Sequence, residues 1–244
     1  MSSRRIDYPA LTPNHYGFSA TRIGDLGSAE YTLVSIAADR SGSVSSFLRE
    51  IERCMRDVVL ACQRSPRADN LMLRVTCFDA GLSELHGFKP LADCPPSELA
   101  GKLKAGGATA LYDAALDAFD AVARYGKDLA SHDLTVNALV FVLTDGMDNA
   151  SRLPLGELRA AIARAMQGEG LESLLSVLVG VNVSDPQVSQ YLQQLRSEAG
   201  FSQYVELEQA SVGDLARLAD FASRAISAQS RSLGTGRASP SLTF

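Results

Sequence analysis

The chain has 244 residues, is 46% hydrophobic and 21% charged, and carries a formal net charge of −5. That length suits one α/β layer domain with a substantial core. The acidity argues against a nucleic-acid-binding core. Arg4, Arg5, Arg22, Arg231 and Arg237 lie outside residues 31–229, so that core is more acidic than the total and the tail is basic. Cys54, Cys62, Cys77 and Cys94 contain no C-x-x-C, and His15, His86 and His132 lack ligand spacing. This pattern argues against zinc or redox chemistry at the cysteines, and reduced, mostly buried thiols in a cytoplasmic protein are the expectation. No apolar run is long enough to cross a bilayer. Ser3-Arg4-Arg5 is followed by Ile6-Asp7-Tyr8-Pro9 instead of an apolar leader.

Residues 1–30 form an N-terminal extension without clear periodicity, punctuated by Pro9, Pro13, Gly17, Gly24 and Gly27. Tyr8, Tyr16 and Phe18 suggest that it packs on the domain. Residues 31–38 read as a buried strand and end in Asp39-Arg40-Ser41-Gly42-Ser43. From Ser45 to about Cys62, apolar residues at Phe47, Leu48, Ile51, Met55, Val58, Val59 and Cys62 follow helical spacing. A carboxylate and two hydroxyls thus occupy a tight turn between a strand and a helix, and oxygen ligands of this kind suit Mg²⁺, Mn²⁺ or Ca²⁺. The same residues also suit a helix cap and a turn.

Residues 70–78 alternate as a second strand, and residues 82–88 form a weaker one. The short connection around Gly81 makes that pair a hairpin, with Asp79 as its turn residue. Pro95-Pro96-Ser97 opens a short helix to about Leu103. Thr109, after Gly106-Gly107, begins a helix whose inner face is built of Ala114, Ala115, Ala118 and other small residues, and Thr109 also suits an N-cap. A fourth strand over 138–143 leads into Thr144-Asp145-Gly146, with Asp148 and Asn149 as turn residues. A helix from Pro154 to Gly168, a strand over 174–181, a helix over 185–199 closed by Gly200, and a strand over 204–207 follow. Ser211 and Asp214 have capping-box spacing before the last helix, and residues 230–244 form a flexible tail.

Asp39, Ser41 and Ser43, then Thr109, then Asp145 follow the order of a von Willebrand factor type A domain with a metal-ion-dependent adhesion site, which residues 31–229 resemble. The resemblance implies a doubly wound, mostly parallel six-stranded sheet of order 3-2-1-4-5-6, strand 3 antiparallel, flanked by helices. Strands one and four are then neighbours at the topological switch point, where ligands bind in such sheets. It further implies a metal site of Asp39, Ser41, Ser43, Thr109 and Asp145 holding Mg²⁺ or Mn²⁺, with Ca²⁺ as a third candidate. The ion would bind an Asp or Glu of a partner protein, and intracellular bacterial relatives suggest AAA+ ATPase, kinase or phosphatase systems in regulation, stress or defence.

Two other readings stand beside that one. A scaffold would leave its metal site out of recognition and bind through a sheet edge, the extension or the tail. A Mg²⁺-dependent phosphatase or hydrolase has less support, because no Walker A, G-x-S-x-G or H-E-x-x-H is present. The chain is therefore read as a non-enzyme. Arg40 is expected to place a positive charge at the rim of the site.

Overall fold

A computed structural model describes residues 12–13, 18–207 and 211–232. Its strands are β1 (Thr12–Pro13), β2 (Ser19–Ala20), β3 (Glu30–Asp39), β4 (Leu71–Phe78), β5 (Leu82–Pro90), β6 (Thr135–Thr144), β7 (Ser173–Val181) and β8 (Gln203–Leu207). Its helices are α1 (Leu48–Gln63), α2 (Leu111–Ala130), α3 (Leu155–Gln167), α4 (Pro186–Ala199) and α5 (Val212–Ser232).

The sheet order is β1-β2-β5-β4-β3-β6-β7-β8. Strands β4, β3, β6, β7 and β8 run parallel, and β5 is antiparallel to β4. Those six strands reproduce the expected order, with the antiparallel strand in the expected place. The difference lies at the β5 edge, where β1 and β2 add two short strands. Each is two residues long, too short to produce an alternating pattern.

β3 sits at the centre because its sequence tolerates burial on both faces. Nine of its ten residues are buried, as a parallel strand covered by helices on both sides requires. Val34, Ile36 and Ala38 join one core with Ile51, Met55 and Val58 of α1 and Phe221 and Ile226 of α5. Leu33 and Ala37 join the other, with Phe119 and Val122 of α2, Ile162 of α3 and Leu192 of α4. Burying a side chain such as Leu33 or Ile36 contributes about 1.5–3 kcal/mol. Alanines 114, 115, 118 and 121 of α2 are also buried, so small side chains line the face against the sheet.

The helix ends follow their local chemistry. Asp185 Oδ1 accepts the Gln187 N–H at 2.8 Å ahead of α4, and Gly200, at φ +92°, closes it. Ahead of α5, Ser211 Oγ accepts the Asp214 N–H at 3.2 Å while Asp214 Oδ2 accepts the Ser211 N–H at 3.3 Å, a reciprocal capping box. Other helix starts differ from expectation. The segment after Asp39 first makes a 3-10 turn, Gly42–Ser46, before α1. The segment after Pro95 makes only the 3-10 turn Pro96–Leu99.

All four cysteines are buried and free, and burial pushes each thiol up to about 12. No described helix is long and apolar enough to cross a membrane. The expected tail from residue 230 is corrected at its start, because α5 runs on to Ser232; the rest of it, like Tyr8 and Tyr16, lies outside the described residues.

Residues 18–21 are fastened to the β5 edge. Phe18 meets Phe88 edge to face at 6.0 Å, the Thr21 N–H donates to the Phe88 carbonyl at 2.8 Å, and the Tyr125 hydroxyl donates to the Thr21 carbonyl at 2.8 Å. Buried Arg74 lies over the Phe18 ring at 5.4 Å and pairs with Glu84 at 3.1 Å and Asp117 at 2.8 Å. Gly87 permits this docking, since a Cβ there would stand 1.7 Å from the Ser19 carbonyl oxygen. Gly87→Ala should therefore lower stability by about 1–3 kcal/mol and open residues 18–26 to protease. Unchanged melting and an unchanged digestion pattern would contradict this account of the edge.

Candidate metal centre

Strands β3 and β6 are parallel neighbours, with Ala38 opposite Leu143. That register places the loops after Asp39 and Thr144 side by side at the C-terminal edge of the sheet. Asp39 is fully buried. Its Oδ1 accepts the Ser41 N–H at 2.7 Å, and its Oδ2 accepts the Thr144 hydroxyl at 2.6 Å. The Ser41 and Ser43 hydroxyls are 3.1 Å apart, and Ser43 Oγ donates to Asp145 Oδ1 at 2.9 Å. Ser43 has a single proton and gives it to Asp145, so Ser41 is the donor to Ser43. Asp39, Ser41, Ser43 and Asp145 thus form one hydrogen-bonded cluster.

Thr109 stands on the adjoining loop. The Gly42 N–H donates to the Gly107 carbonyl at 3.0 Å, and the Gly106 N–H to the Arg40 carbonyl at 3.0 Å. A Cβ on Gly42 would lie 3.3 Å from the Gly107 oxygen, and Gly107 itself has φ +77°, so both glycines serve this crossing. Thr109 is buried. Its N–H donates to Asn149 Oδ1 at 2.7 Å, and its carbonyl accepts the Asn149 N–H at 3.0 Å. Among the described residues its hydroxyl makes no hydrogen bond to the other four. Nor does Thr109 cap α2, which begins at Leu111 with Ala110 in the cap position and no side-chain cap bond.

Thr144 and Ser151 were given no role in the sequence, and Asp148 and Asn149, expected as turn residues, do more than turn the chain. Thr144 orients Asp39, and Asn149 holds the Thr109 backbone. Asp148 accepts the Tyr112 N–H at 3.3 Å and the Ser151 hydroxyl, while Ser151 Oγ accepts the Tyr112 N–H at 3.0 Å. The run of polar residues from Thr144 to Ser151 was the available signal. Asp79 is the expected hairpin residue, accepting the Gly81 N–H at 3.0 Å, but its carbonyl also takes the Ala110 N–H at 2.8 Å. Arg40 is a correction. Its side chain turns to Asp79, Nε to Oδ2 at 3.1 Å, and to the Ser83 hydroxyl at 3.0 Å. The Nε contact is an ion pair without hydrogen-bond alignment. The charge is neutralised locally instead of standing free at the rim.

The electrostatics of the cluster are those of an uncompensated anion pair. Among the described residues no basic side chain lies within pairing distance of Asp39 or Asp145. Burial pushes the Asp39 carboxyl up, against the hydrogen bonds from Thr144 and Ser41. Burial and the charge of Asp39 push Asp145 up to about 6. A buried carboxylate lacking a cation costs on the order of several kcal/mol. Among the described residues no group of three or more His, Cys, Asp or Glu is placed to hold a metal ion. What the cluster offers is two carboxylates beside hydroxyls, all oxygen, and that donor set fits a hard divalent cation.

No protein-family profile and no curated protein matches the chain in sequence. Solved structures share its fold. The PilB minor pilin from Streptococcus sanguinis is 14% identical, over 84% of this chain and 63% of that one, at TM-score 0.58. Proximal thread matrix protein 1 from the mussel byssus, in a structure with a zinc-occupied MIDAS motif, is 15% identical over 82% and 47%, at 0.53. The conserved hypothetical protein BatB from Bacteroides thetaiotaomicron is 16% identical over 82% and 99%, at 0.50. This chain thus spans 63% of the pilin and 47% of the byssus protein. At such identities the common property is the fold alone.

Two outcomes test this geometry. Thr144→Val removes the donor to buried Asp39 and should destabilise the protein by about 1–3 kcal/mol in denaturant unfolding. A neutral effect would show that the bond does not matter. The second concerns pH. Asp145 has a raised folded pKa, so its penalty is full above pH of about 6 and is relieved as the folded protein protonates below that. In chelator, the wild type should gain stability relative to Asp145→Asn as pH falls from about 7 toward its ordinary value of 3.8. A constant difference between the two proteins across that window would contradict the shift.

Proposed function

We propose that the chain is a metal-dependent protein-interaction module that binds an acidic side chain of a partner protein. The observation that carries the reading is the buried Asp39 beside half-buried Asp145, joined through Ser41 and Ser43, with no basic group to neutralise them. In this reading Asp39, Ser41, Ser43, Thr109 and Asp145 hold Mg²⁺ or Mn²⁺, with Ca²⁺ as a third candidate. When bound, the ion supplies a positive centre that attracts a carboxylate. Asp39 and Asp145 neutralise it, and the hydroxyls add oxygen ligands without further charge. Thr144 keeps Asp39 oriented, and Asn149 fixes the Thr109 loop.

The byssus protein, on the same fold, has a zinc-occupied motif, which supports a divalent ion for this reading. The module acts by binding and is not an enzyme. Four free cysteines favour a reducing, cytoplasmic setting, with a partner in an AAA+ ATPase, kinase or phosphatase system.

Thermal unfolding of wild type and Asp39→Ala in chelator, Mg²⁺, Mn²⁺ and Ca²⁺ tests the proposal. At 100 times Kd a bound ion adds about 2.7 kcal/mol, which corresponds to roughly 5–10 °C for a domain of this size. The shift should occur in the wild type and vanish in Asp39→Ala. Equal shifts in both proteins, or none in either at millimolar ion, would refute it.

A further inference from the structure

Away from the carboxylate cluster, residues 18–21 fill a groove along β5 that the metal reading does not use. One wall is the edge of β5, where the Phe88 carbonyl accepts the Thr21 N–H at 2.8 Å and the Thr21 hydroxyl at 3.2 Å. The floor is the buried guanidinium of Arg74, held by Glu84 and Asp117. The apolar end is the Phe88 ring, stacked on Tyr125 at 5.2 Å. Phe18 enters against Phe88 and over Arg74. Ser19 gives its N–H to Glu84 Oε1 at 3.0 Å and its hydroxyl to the same oxygen. Gly87 leaves the room that the Ser19 carbonyl occupies. The groove therefore reads Phe-Ser-Ala-Thr through a ring slot, a carboxylate, a missing Cβ and a backbone acceptor.

The attachment is local at both ends. β2 meets β5 through one register pair, Ala20 with Phe88, and β1 pairs with β2. Further on, the Gly27 and Ser28 N–H groups donate to the Tyr31 hydroxyl at 3.1 and 3.0 Å, which anchors the chain from there. Residues 22–26 connect the two anchors. Arg22, Gly24 and Asp25 are exposed, and a Cβ on Gly24 would meet nothing within 4 Å. Ile23 and Leu26 pack only partly against the second core. The 3-10 turn Ile23–Asp25 shortens this connection, and fully extended its five residues would span about 17 Å. An emptied groove would leave an open strand edge beside apolar rings, which folded proteins cover.

We propose that the β5 edge is a strand-acceptor site that takes the same segment from a second copy of this chain. In that dimer β1 and β2 of each copy lie on the other copy's β5, and the 22–26 connection extends between them. The groove selects the occupant, because residues 18–21 already match its ring slot, its carboxylate and its backbone acceptor. Exchange repeats those contacts between copies and needs no new ones, which makes it a low-cost route to a two-fold dimer. The inference is independent of the metal-module reading.

The test mixes full chains and reads mass by light scattering after size exclusion. Gly87→Ala closes the groove and leaves the segment intact. Phe18→Ala/Thr21→Pro removes the ring and the donated N–H and leaves the groove intact. Each variant alone should be a monomer, and the mixture should contain a heterodimer, since the segment of the first fits the groove of the second. That heterodimer should form at concentrations on the order of tenfold below those wild type needs, because in wild type the tethered segment competes at an effective concentration on the order of millimolar. A chain carrying all three substitutions should not pair with Gly87→Ala. No heterodimer, equal pairing with the triple variant, or a dimer of either variant alone would overturn the proposal. Where a variant fails to melt cooperatively, wild type decides: tagged and untagged chains brought together at about 1 mM should be captured together on the tag. Absence of that capture would equally overturn the exchange.

Discussion

Parallel pairing of β3 with β6 brings Asp39 and Asp145 to the same edge of the sheet, and most of the site's architecture answers that juxtaposition. Two carboxylates in a partly desolvated setting repel each other and resist ionisation. The chain spends its nearby donors on this problem. Thr144 and the Ser41 N–H serve Asp39, and Ser43 serves Asp145. None of these donors carries a positive charge, so the hydrogen bonds lessen the penalty without removing it. A group held at such a cost invites a compensating cation, and the available atoms are all oxygen.

The surrounding loops convert that pair into a defined surface. Gly42 and Gly107 allow the loop after β3 to cross the Thr109 loop closely, and Asn149 ties the Thr109 loop to the segment after β6. Asp79 adds the β4–β5 hairpin through its carbonyl bond to Ala110 and its contact with Arg40. Loops from four strands and one helix start are thereby laced together. The two cores on either face of the sheet anchor the strands from which these loops leave.

Much of this was legible in the sequence. The uninterrupted apolar runs of β3, β6 and β7 announced strands buried on both faces, and the hairpin around Gly81 announced the antiparallel strand. Asp185, Gly200 and the Ser211–Asp214 pair marked real helix ends. What was not legible depends on tertiary contacts. β1 and β2 are too short for a periodic signal; β2 is held where Phe18 and Thr21 meet Phe88 and Tyr125, and β1 pairs with β2. Thr109 carries the residue type of an N-cap, yet the Asn149 and Asp79 bonds hold its loop and α2 begins two residues later. Arg40 looks like a rim cation in one dimension, and only the folded hairpin supplies the Asp79 and Ser83 partners that remove it from the rim. At the site, the family resemblance grouped Asp39, Ser41, Ser43, Thr109 and Asp145, while the role of Thr144 required knowing which way Asp39 faces.

The most direct test of the account is to place the ion. Crystals of the chain grown in chelator and then transferred to Mn²⁺ would be measured at a wavelength where manganese scatters anomalously. The account predicts a single strong peak among the side-chain oxygens of Asp39, Ser41, Ser43 and Asp145, with Thr109 beside it, and no such peak in Asp39→Ala. A peak elsewhere on the chain, or none in a wild-type crystal saturated with Mn²⁺, would contradict the claim that this carboxylate pair exists to hold a cation.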